Sequence, residues 1–408
     1  MNAWFDNSED VIAAEAAHMA RVFARQGAVW SRGEGCRLWD KNGRAHLDFF
    51  SGHAVMALGY GHPRQRDAML RQLENLVHTG NLYYSEAQVE LARRLTAASF
   101  GDKVFFANSG AEITELAIKL ARKGAARRGG HAGAYEIITI QGSFHGRTYG
   151  ALSATGQEKY HAGLGPMLPG FKYVPRGNFV AAAAAITNRT CALLVEPVQG
   201  EGGVHPAEAE YLRQVRKLCD RNRLLLIFDE IQCGLGRIGT HHAYEHYGVE
   251  PDVLLLGKPL GGGLPLSALV TTGETARDLG PGDHGSTFGG NPVAAAGGVV
   301  LLESLAQPGF LAHVRETGDK LAEGLDGLHR RFRGLIRQRR GLGLMQALEL
   351  EDHGPEAVRL ALEEGLVINC TAGHTLRFLP ALIVGRAEVD EALDIMDRVF
   401  ARLAEKEK

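Results

Sequence analysis

The chain is predicted to be an α/β protein, with a large domain on a mostly parallel sheet covered by helices and a smaller α+β domain after it. Three observations predict this. Short Val/Ile/Leu runs recur at "KVFFA", "YEIITI", "CALLV", "RLLLIF", "DVLLL" and "LSALVT". Such runs are continuous rather than alternating, as expected of strands buried on both faces. Helical stretches such as "AEITELAIKLARKGAARR" and "AEYLRQVRKLCDRN" stand between them. Beyond about residue 300 the pattern changes to a long helix, a strand pair in "LIRQRRGLGLMQALEL", "GLVINC", "TLRFLPAL" and a last amphipathic helix.

Ahead of these elements, residues 9–26 read as an amphipathic helix. "CRLWDKNGRAHLDFF" alternates apolar and polar residues about Lys41-Asn42-Gly43-Arg44, a hairpin pattern. Residues 64–79 and 85–99 read as helices, and the alanines of 181–185 as helix formers without a repeat.

The 408 residues carry a net charge of -2, with 45% apolar and 23% charged residues. That is an ordinary globular composition, and it gives no electrostatic reason to expect nucleic acid or an anionic membrane as partner. The five cysteines are scattered and form no CxxC pair, which argues against a disulfide framework or a cysteine-rich metal site. The acidic start "MNAWFDNSED" lacks a signal pattern, and no uncharged apolar run reaches the ~18–20 residues of a membrane helix. These features point to a soluble, cytoplasmic protein.

Ligands of parallel sheets sit at the carboxyl ends of the strands. Those ends carry Ser109-Gly110, Gln141 to His145, Glu196-Pro197, Asp229-Glu230 and Gly257-Lys258. An amine ending an apolar strand, as Lys258 does, is desolvated, which favours the neutral nucleophile that attacks carbonyls. The plainer reading is a lysine that snorkels to water. Pro259 is expected to hold Lys258 extended. Asp229, after an apolar run, needs a partner: a pyridinium N–H, a metal or an arginine. "NSGAE" precedes a helix, so Ser109 with the amides of Gly110 and Ala111 could cradle a phosphate or simply cap the helix. Phe144 could cover an aromatic ring or belong to the core.

Three further motifs are weaker. Gly234 to Gly239 spells GxGxxG, but Asp229 and Glu230 before the turn would repel a pyrophosphate, which disfavours a nicotinamide oxidoreductase. "GKPLGG" fails as a P-loop, because Asp252 and Pro259 stand where Gly and Ser/Thr are required. His242 and His246 are spaced for one helix face beside Glu245, yet the HExxH order is absent, and they read as surface histidines with no metal site.

A lysine, an aspartate, a phosphate cradle and an aromatic ring together match what pyridoxal 5'-phosphate requires. At this point "LLLIFDEIQCGLGRIG" and "PDVLLLGKPLGGGLPLSAL" resemble the class III (subgroup II) aminotransferases of the fold type I pyridoxal-phosphate superfamily. The resemblance continues through "SGHAVMALGYGHP", "HTGNLYY", "NSGAE", "SFHGRT", "VEPVQGEGG", "HGSTFGGNP" and "LRFLPAL", nearly the whole chain.

The resemblance implies a seven-stranded sheet in the large domain. It also implies a division into an N-terminal segment at 1–55 packing with the small domain, a cofactor-binding domain at 56–300 and a small domain at 301–408. Lys258 would form the Schiff base and carry the proton, and Asp229 would pair with the ring nitrogen. Gln232 would bond the ring hydroxyl, and Phe144 would stack on the ring. Ser109, Gly110 and Ala111 would hold the phosphate, joined by Thr287 from a second subunit, which implies a homodimer with shared active sites. Arg377 would bind the α-carboxylate of glutamate or 2-oxoglutarate, Arg147 the other carboxylate, and Glu201 would pair with Arg377 when no carboxylate is offered.

Within the class the motifs are most similar to those of enzymes that exchange the amino group of N-acetylornithine with 2-oxoglutarate in arginine biosynthesis. Rival donors are ornithine, succinylornithine, succinyl-diaminopimelate, 4-aminobutyrate and carrier-bound lysine. An aminomutase suits Arg377 and Glu201 less, and a catalytically silent scaffold does not suit the intact Lys258, Asp229 and Arg377. The sequence departs from the family at Ile113-Thr114, Gln346-Ala347 and His53; the last lies near the expected substrate entrance and bears on acyl-group preference.

Overall fold

The computed structural model describes residues 4–406. Its largest sheet contains β1 (Lys103–Ala107), β2 (Glu136–Ile140), β3 (Phe171–Val174), β4 (Thr190–Val195), β5 (Leu225–Asp229), β6 (Val253–Leu256) and β7 (Ser267–Thr271). The strand order is β1-β7-β6-β5-β4-β2-β3. Neighbours from β6 to β3 run parallel, and β7 is antiparallel to both β6 and β1. The sheet is therefore seven-stranded and mostly parallel. β5 and β6 are buried along their whole length, which explains their unbroken apolar runs. Each such leucine contributes roughly 1.5–3 kcal/mol by leaving water.

Of the seven, β3 carried no sequence signal. "FKYV" pairs on one side only, at the sheet edge, and its Lys172 and Tyr173 are not fully buried.

The helix Gly110–Gly124 shows how the sequence positions the site. Ile113, Leu116, Ala117 and Leu120 fall on one face and are buried. Ser109 caps it, its Oγ accepting from Glu112 N at 3.3 Å, while the Glu112 carboxylate accepts from Asn108 N at 3.0 Å.

The second sheet lies toward the C-terminus: β8 (Ile336–Leu342), β9 (Met345–Leu350), β10 (Asn369–Thr371) and β11 (Thr375–Phe378), all antiparallel in the order β8-β9-β11-β10. A third sheet joins Trp30–Glu34, Arg37–Asp40 and Ala45–Asp48, including the expected hairpin, with Leu366–Val367 added in parallel. "GLVINC" thus divides between two sheets. Among the described residues, no single helix is long and apolar enough to cross a membrane.

One expected element fails. The first helix spans Ser8–His18 rather than 9–26, and it buries no residue. Its apolar residues do not gather on one face, so nothing in this chain extends it.

Candidate active site

The carboxyl ends of β2, β4, β5 and β6 and the start of the helix Gly110–Gly124 meet around a cavity of about 290 Å³. Gly110, Ala111, Phe144, Arg147, Glu201, Asp229, Gln232 and Lys258 all line it, together with His145 and Glu196. Glu230 does not. Its carboxylate accepts from Tyr244 N at 2.7 Å and from Ala243 N, capping a short helix on the far side.

Lys258 follows β6 at the start of a tight turn, Lys258–Gly261. Contrary to the extended conformation expected before Pro259, its φ is +43°. The chain turns immediately after the buried strand, and Lys258 takes up the left-handed bend itself. Such strain in a non-glycine residue persists only where surrounding packing imposes it. Burial lowers the pKa of the amine, while the Glu201 carboxylate works in the opposite direction.

Asp229 ends β5 and is 4% exposed. Its Oδ2 lies 2.7 Å from His145 Nδ1, so the imidazole donates there, and its Oδ1 accepts from Ile231 N at 3.1 Å. His145 is itself buried, with Nε2 3.3 Å from Thr139 Oγ1.

At the helix start, the amides of Gly110 and Ala111 belong to the first turn, whose N–H groups have no intrahelical acceptor. A Cβ on Gly110 would lie 2.7 Å from Ile231 Cδ1, so a side chain there would have to displace the end of Ile231. Phe144 packs edge-on to Tyr160 at 5.9 Å, and the exposed Arg147 stacks over Tyr160 at 4.0 Å and Phe144 at 5.5 Å.

Arg377 does not itself line the cavity; it stands behind two residues that do, Glu201 and Gln232, and brings the C-terminal sheet to a second side of the site. Arg377 on β11 is fully buried. Its Nη1 donates to Glu201 Oε1 at 2.7 Å and Gln232 Oε1 at 2.9 Å, and its Nε donates to Asn369 Oδ1 at 3.2 Å. Nη2 has no hydrogen-bond partner. Burial alone would raise the pKa of Glu201, but Arg377 and then Lys258 bring it down to about 2.

Three residues of the site were missed as such in the sequence. His145 and Glu196 stood among the strand ends without a role. Glu196 accepts from Phe144 N at 2.8 Å and Gly200 N at 3.1 Å, tying the aromatic wall to the Glu201 loop. Burial pushes its pKa up to about 7; Asp229 adds to this, while His145 opposes it. Asp48 is the third, accepting from Phe50 N at 2.8 Å, Ser51 N at 2.9 Å and Tyr60 Oη at 2.8 Å. It supports a left-handed turn in which Ser51, Gly52, His53 and Ala54 all have positive φ. His53 on that turn feels Arg377, Glu201 and Lys258, and burial first, then Arg377, lowers its pKa to about 4. For His145 and Glu196, the bonds that reveal the role, to Asp229 and from Phe144 N, join segments distant in sequence.

Other candidates stand apart. Thr287 is exposed in the loop before the helix Pro292–Leu305 and does not line this cavity. His242 is not the expected surface residue: it precedes the helix Ala243–Tyr247, is 1% exposed, and stacks on Tyr244 at 5.6 Å. No group of metal ligands occurs among the described residues. Gly234 to Gly239 opens no helix, since the next one begins at Ala243, so it cannot present a helix N-terminus to a pyrophosphate.

The residues present fit pyridoxal phosphate. A desolvated lysine faces the cavity with a buried carboxylate, a first helical turn offers amides to an anion, and an aromatic ring lines one side. Fold and site together define a pyridoxal-phosphate enzyme built on a mostly parallel α/β sheet.

The family model for aminotransferase class III matches residues 19–400. The chain belongs to that family and is a pyridoxal-phosphate-dependent transaminase. It is 48% identical to the acetylornithine aminotransferase of Caldanaerobacter subterraneus subsp. tengcongensis, over 96% of this chain and 100% of the relative. It is 41% identical to the succinylornithine transaminase/acetylornithine aminotransferase of Pseudomonas aeruginosa, over 95% and 96%. The structure of ornithine aminotransferase from Toxoplasma gondii, described with partial occupancy of PLP at its active site, superposes with a TM-score of 0.94 at 33% identity, covering 99% of this chain and 96% of that one.

Proposed function

We propose that this transaminase moves the δ-amino group of N-acetylornithine to 2-oxoglutarate, giving N-acetylglutamate 5-semialdehyde and glutamate, a step of arginine biosynthesis. The observation that carries the reading is the Arg377–Glu201 pair, a buried guanidinium with one unsatisfied nitrogen and a carboxylate that is 23% exposed on its side chain. A single cleft that takes both substrates in turn needs a carboxylate receptor that can be covered. The carboxylate of 2-oxoglutarate would displace Glu201 and pair with Arg377 through two N–H groups. An acylated diamine offers no matching carboxylate there, and Glu201 would then keep the charge compensated.

Bound pyridoxal phosphate supplies the electron sink that makes the substrate C–H bond acidic. The chain supplies the rest. Lys258, its amine pKa lowered by burial, would attach the cofactor and then move the proton at the reacting carbon. Asp229, oriented by His145, would keep the ring nitrogen protonated. Ser109 and the amides of Gly110 and Ala111 would hold the phosphate, Phe144 would cover the ring face, and Gln232 would meet the ring hydroxyl. Arg147, at the open side, would take the second carboxylate or that of the donor.

The same reading makes the protein a homodimer, with Thr287 reaching the partner's phosphate. Leu82, Tyr83, Tyr84 and Phe288 support this, being 92%, 73%, 98% and 60% exposed near that loop's contacts with Asn81. Five free cysteines are consistent with a cytoplasmic location.

The test is a set of single-turnover half-reactions on cofactor-loaded protein, following visible absorption with N-acetylornithine, succinylornithine, ornithine and 4-aminobutyrate. The reading requires N-acetylornithine to react fastest and 2-oxoglutarate to restore the starting spectrum. A faster reaction with another donor would replace the proposed substrate.

A further inference from the structure

Arg237, within the GxGxxG-like stretch Gly234 to Gly239, is 2% exposed. Among the described residues it meets no carboxylate. Burial lowers its pKa to about 9. Its Nη1 donates to two carbonyls that come from separate segments: Leu344 O at 3.0 Å, in the turn between β8 and β9, and Pro380 O at 2.6 Å, just beyond β11. Leu344 N returns a hydrogen bond to Arg237 O at 3.1 Å.

Those segments flank Arg377. β9 pairs with β11 with Ala347 opposite Arg377, and Pro380 lies three residues after it. The loop that carries Arg237 begins at Asp229 and contains Gln232, which accepts directly from Arg377. One short loop therefore grips the cofactor wall at one end and the strand of the carboxylate receptor at the other. The backbones are in direct contact: Gly343 has φ +50°, and a Cβ there would stand 2.7 Å from Ile238 Cα.

A buried cation that meets only carbonyls is a poor source of stability, because its desolvation is not repaid by an opposite charge. It is a good source of geometry. Two acceptors from different segments converge on one nitrogen, and a displacement of either lengthens a bond in a site where no ion pair substitutes for it. We propose that Arg237 is a positioning residue for carboxylate recognition, fixing the strand of Arg377 against the loop of Asp229 and Gln232 and so setting the affinity for the dicarboxylate substrate. This rests on the reading of Arg377 given above.

The experiment compares cofactor-loaded wild type with Arg237→Met, Arg237→Lys and Arg377→Ala. Two quantities are read: the calorimetric affinity for glutarate, a dicarboxylate that cannot react, and the steady-state KM and kcat. Arg237→Met is expected to weaken glutarate and raise the KM for 2-oxoglutarate by tenfold or more. Its kcat and its half-reaction with the acylated donor should stay within threefold. Arg237→Lys should fall between the two proteins. A lower melting temperature with glutarate affinity unchanged, or an equal loss in both half-reactions, overturns the proposal. If Arg237→Met does not fold, Arg237→Lys and Gly343→Ala decide: each should weaken glutarate at least threefold, and unchanged affinity in both overturns it. Arg377→Ala separates the two levels. If it leaves glutarate binding intact, the carboxylate role of Arg377 has failed, and Arg237 falls with it. If it weakens binding and the Arg237 variants do not, only the positioning role has failed.

Discussion

The two walls of the cleft are built on different physical terms. On the large-sheet side, Asp229 and His145 are buried at 2.7 Å, each carboxylate oxygen has a donor, and the main chain holds the pair at a strand end. On the C-terminal-sheet side, Arg377 is equally buried but keeps one unsatisfied nitrogen, and its partner Glu201 comes from a loop and reaches toward solvent. The first wall has a single low-energy arrangement, as a site for a permanent cofactor requires. The second is held by an ion pair whose carboxylate can be exchanged for another. A buried charge is costly without a partner, so whatever displaces Glu201 must itself be an anion.

The largest expected effect falls on the first wall. Lys258→Ala should lower transamination by ~10³-fold or more while the far-UV circular dichroism stays that of the folded protein, since it removes both nucleophile and proton carrier. Retained turnover would refute the assigned chemistry. Asp229→Asn should come next, with a loss on the order of 10²-fold in both half-reactions, because it removes a charge that serves both directions. A loss confined to one half-reaction would show that the two walls are not separate.

On the second wall the losses should be one-sided. Arg377→Ala should cost the dicarboxylate half-reaction roughly 2–5 kcal/mol and spare the acylated donor. Equal losses would remove the carboxylate role. Glu201→Ala should raise the rate with glutamate relative to the acylated donor by about tenfold, equivalent to ~1.4 kcal/mol. An unchanged ratio would mean that the pair does not open.

The smallest effect is on stability against pH. Glu201 has its pKa depressed to about 2 in the folded chain, against an ordinary 4.5. Its contribution is therefore complete above about pH 4.5 and is lost as pH falls toward 2. The difference in denaturant midpoint between wild type and Glu201→Gln should shrink between pH 5 and 3. A constant difference would mean that the ion pair adds nothing to folding.

Much of the first wall was legible in the sequence. Apolar runs ending in Asp229 and in Lys258 place both groups at the carboxyl edge of a parallel sheet, because a strand buried on both faces leaves only its ends for chemistry. Less was legible of what supports them. His145 and Glu196 were visible as polar strand ends, but the bonds that give them their roles, to Asp229 and from Phe144 N, span tens of residues. Lys258 was misread locally, since the proline rule predicts an extended residue and the turn after β6 overrides it. The edge strand β3 escaped because a strand paired on one side needs little hydrophobicity. The helix expected at 9–26 ends at His18, its apolar residues sharing no face and none of them being buried.

The sequence by itself determined the class of sheet, the residues at its strand ends and, through resemblance, the reaction type. Those depend on local periodicity and on the order of residues along single strands. Only the tertiary structure decided that Glu201 closes on Arg377, that Asp229 is oriented by His145, and that Arg237 bridges two carbonyls of the C-terminal segments. Each of these joins residues from separate elements, and the energy of a buried charge is set by what surrounds it in space rather than by its neighbours along the chain.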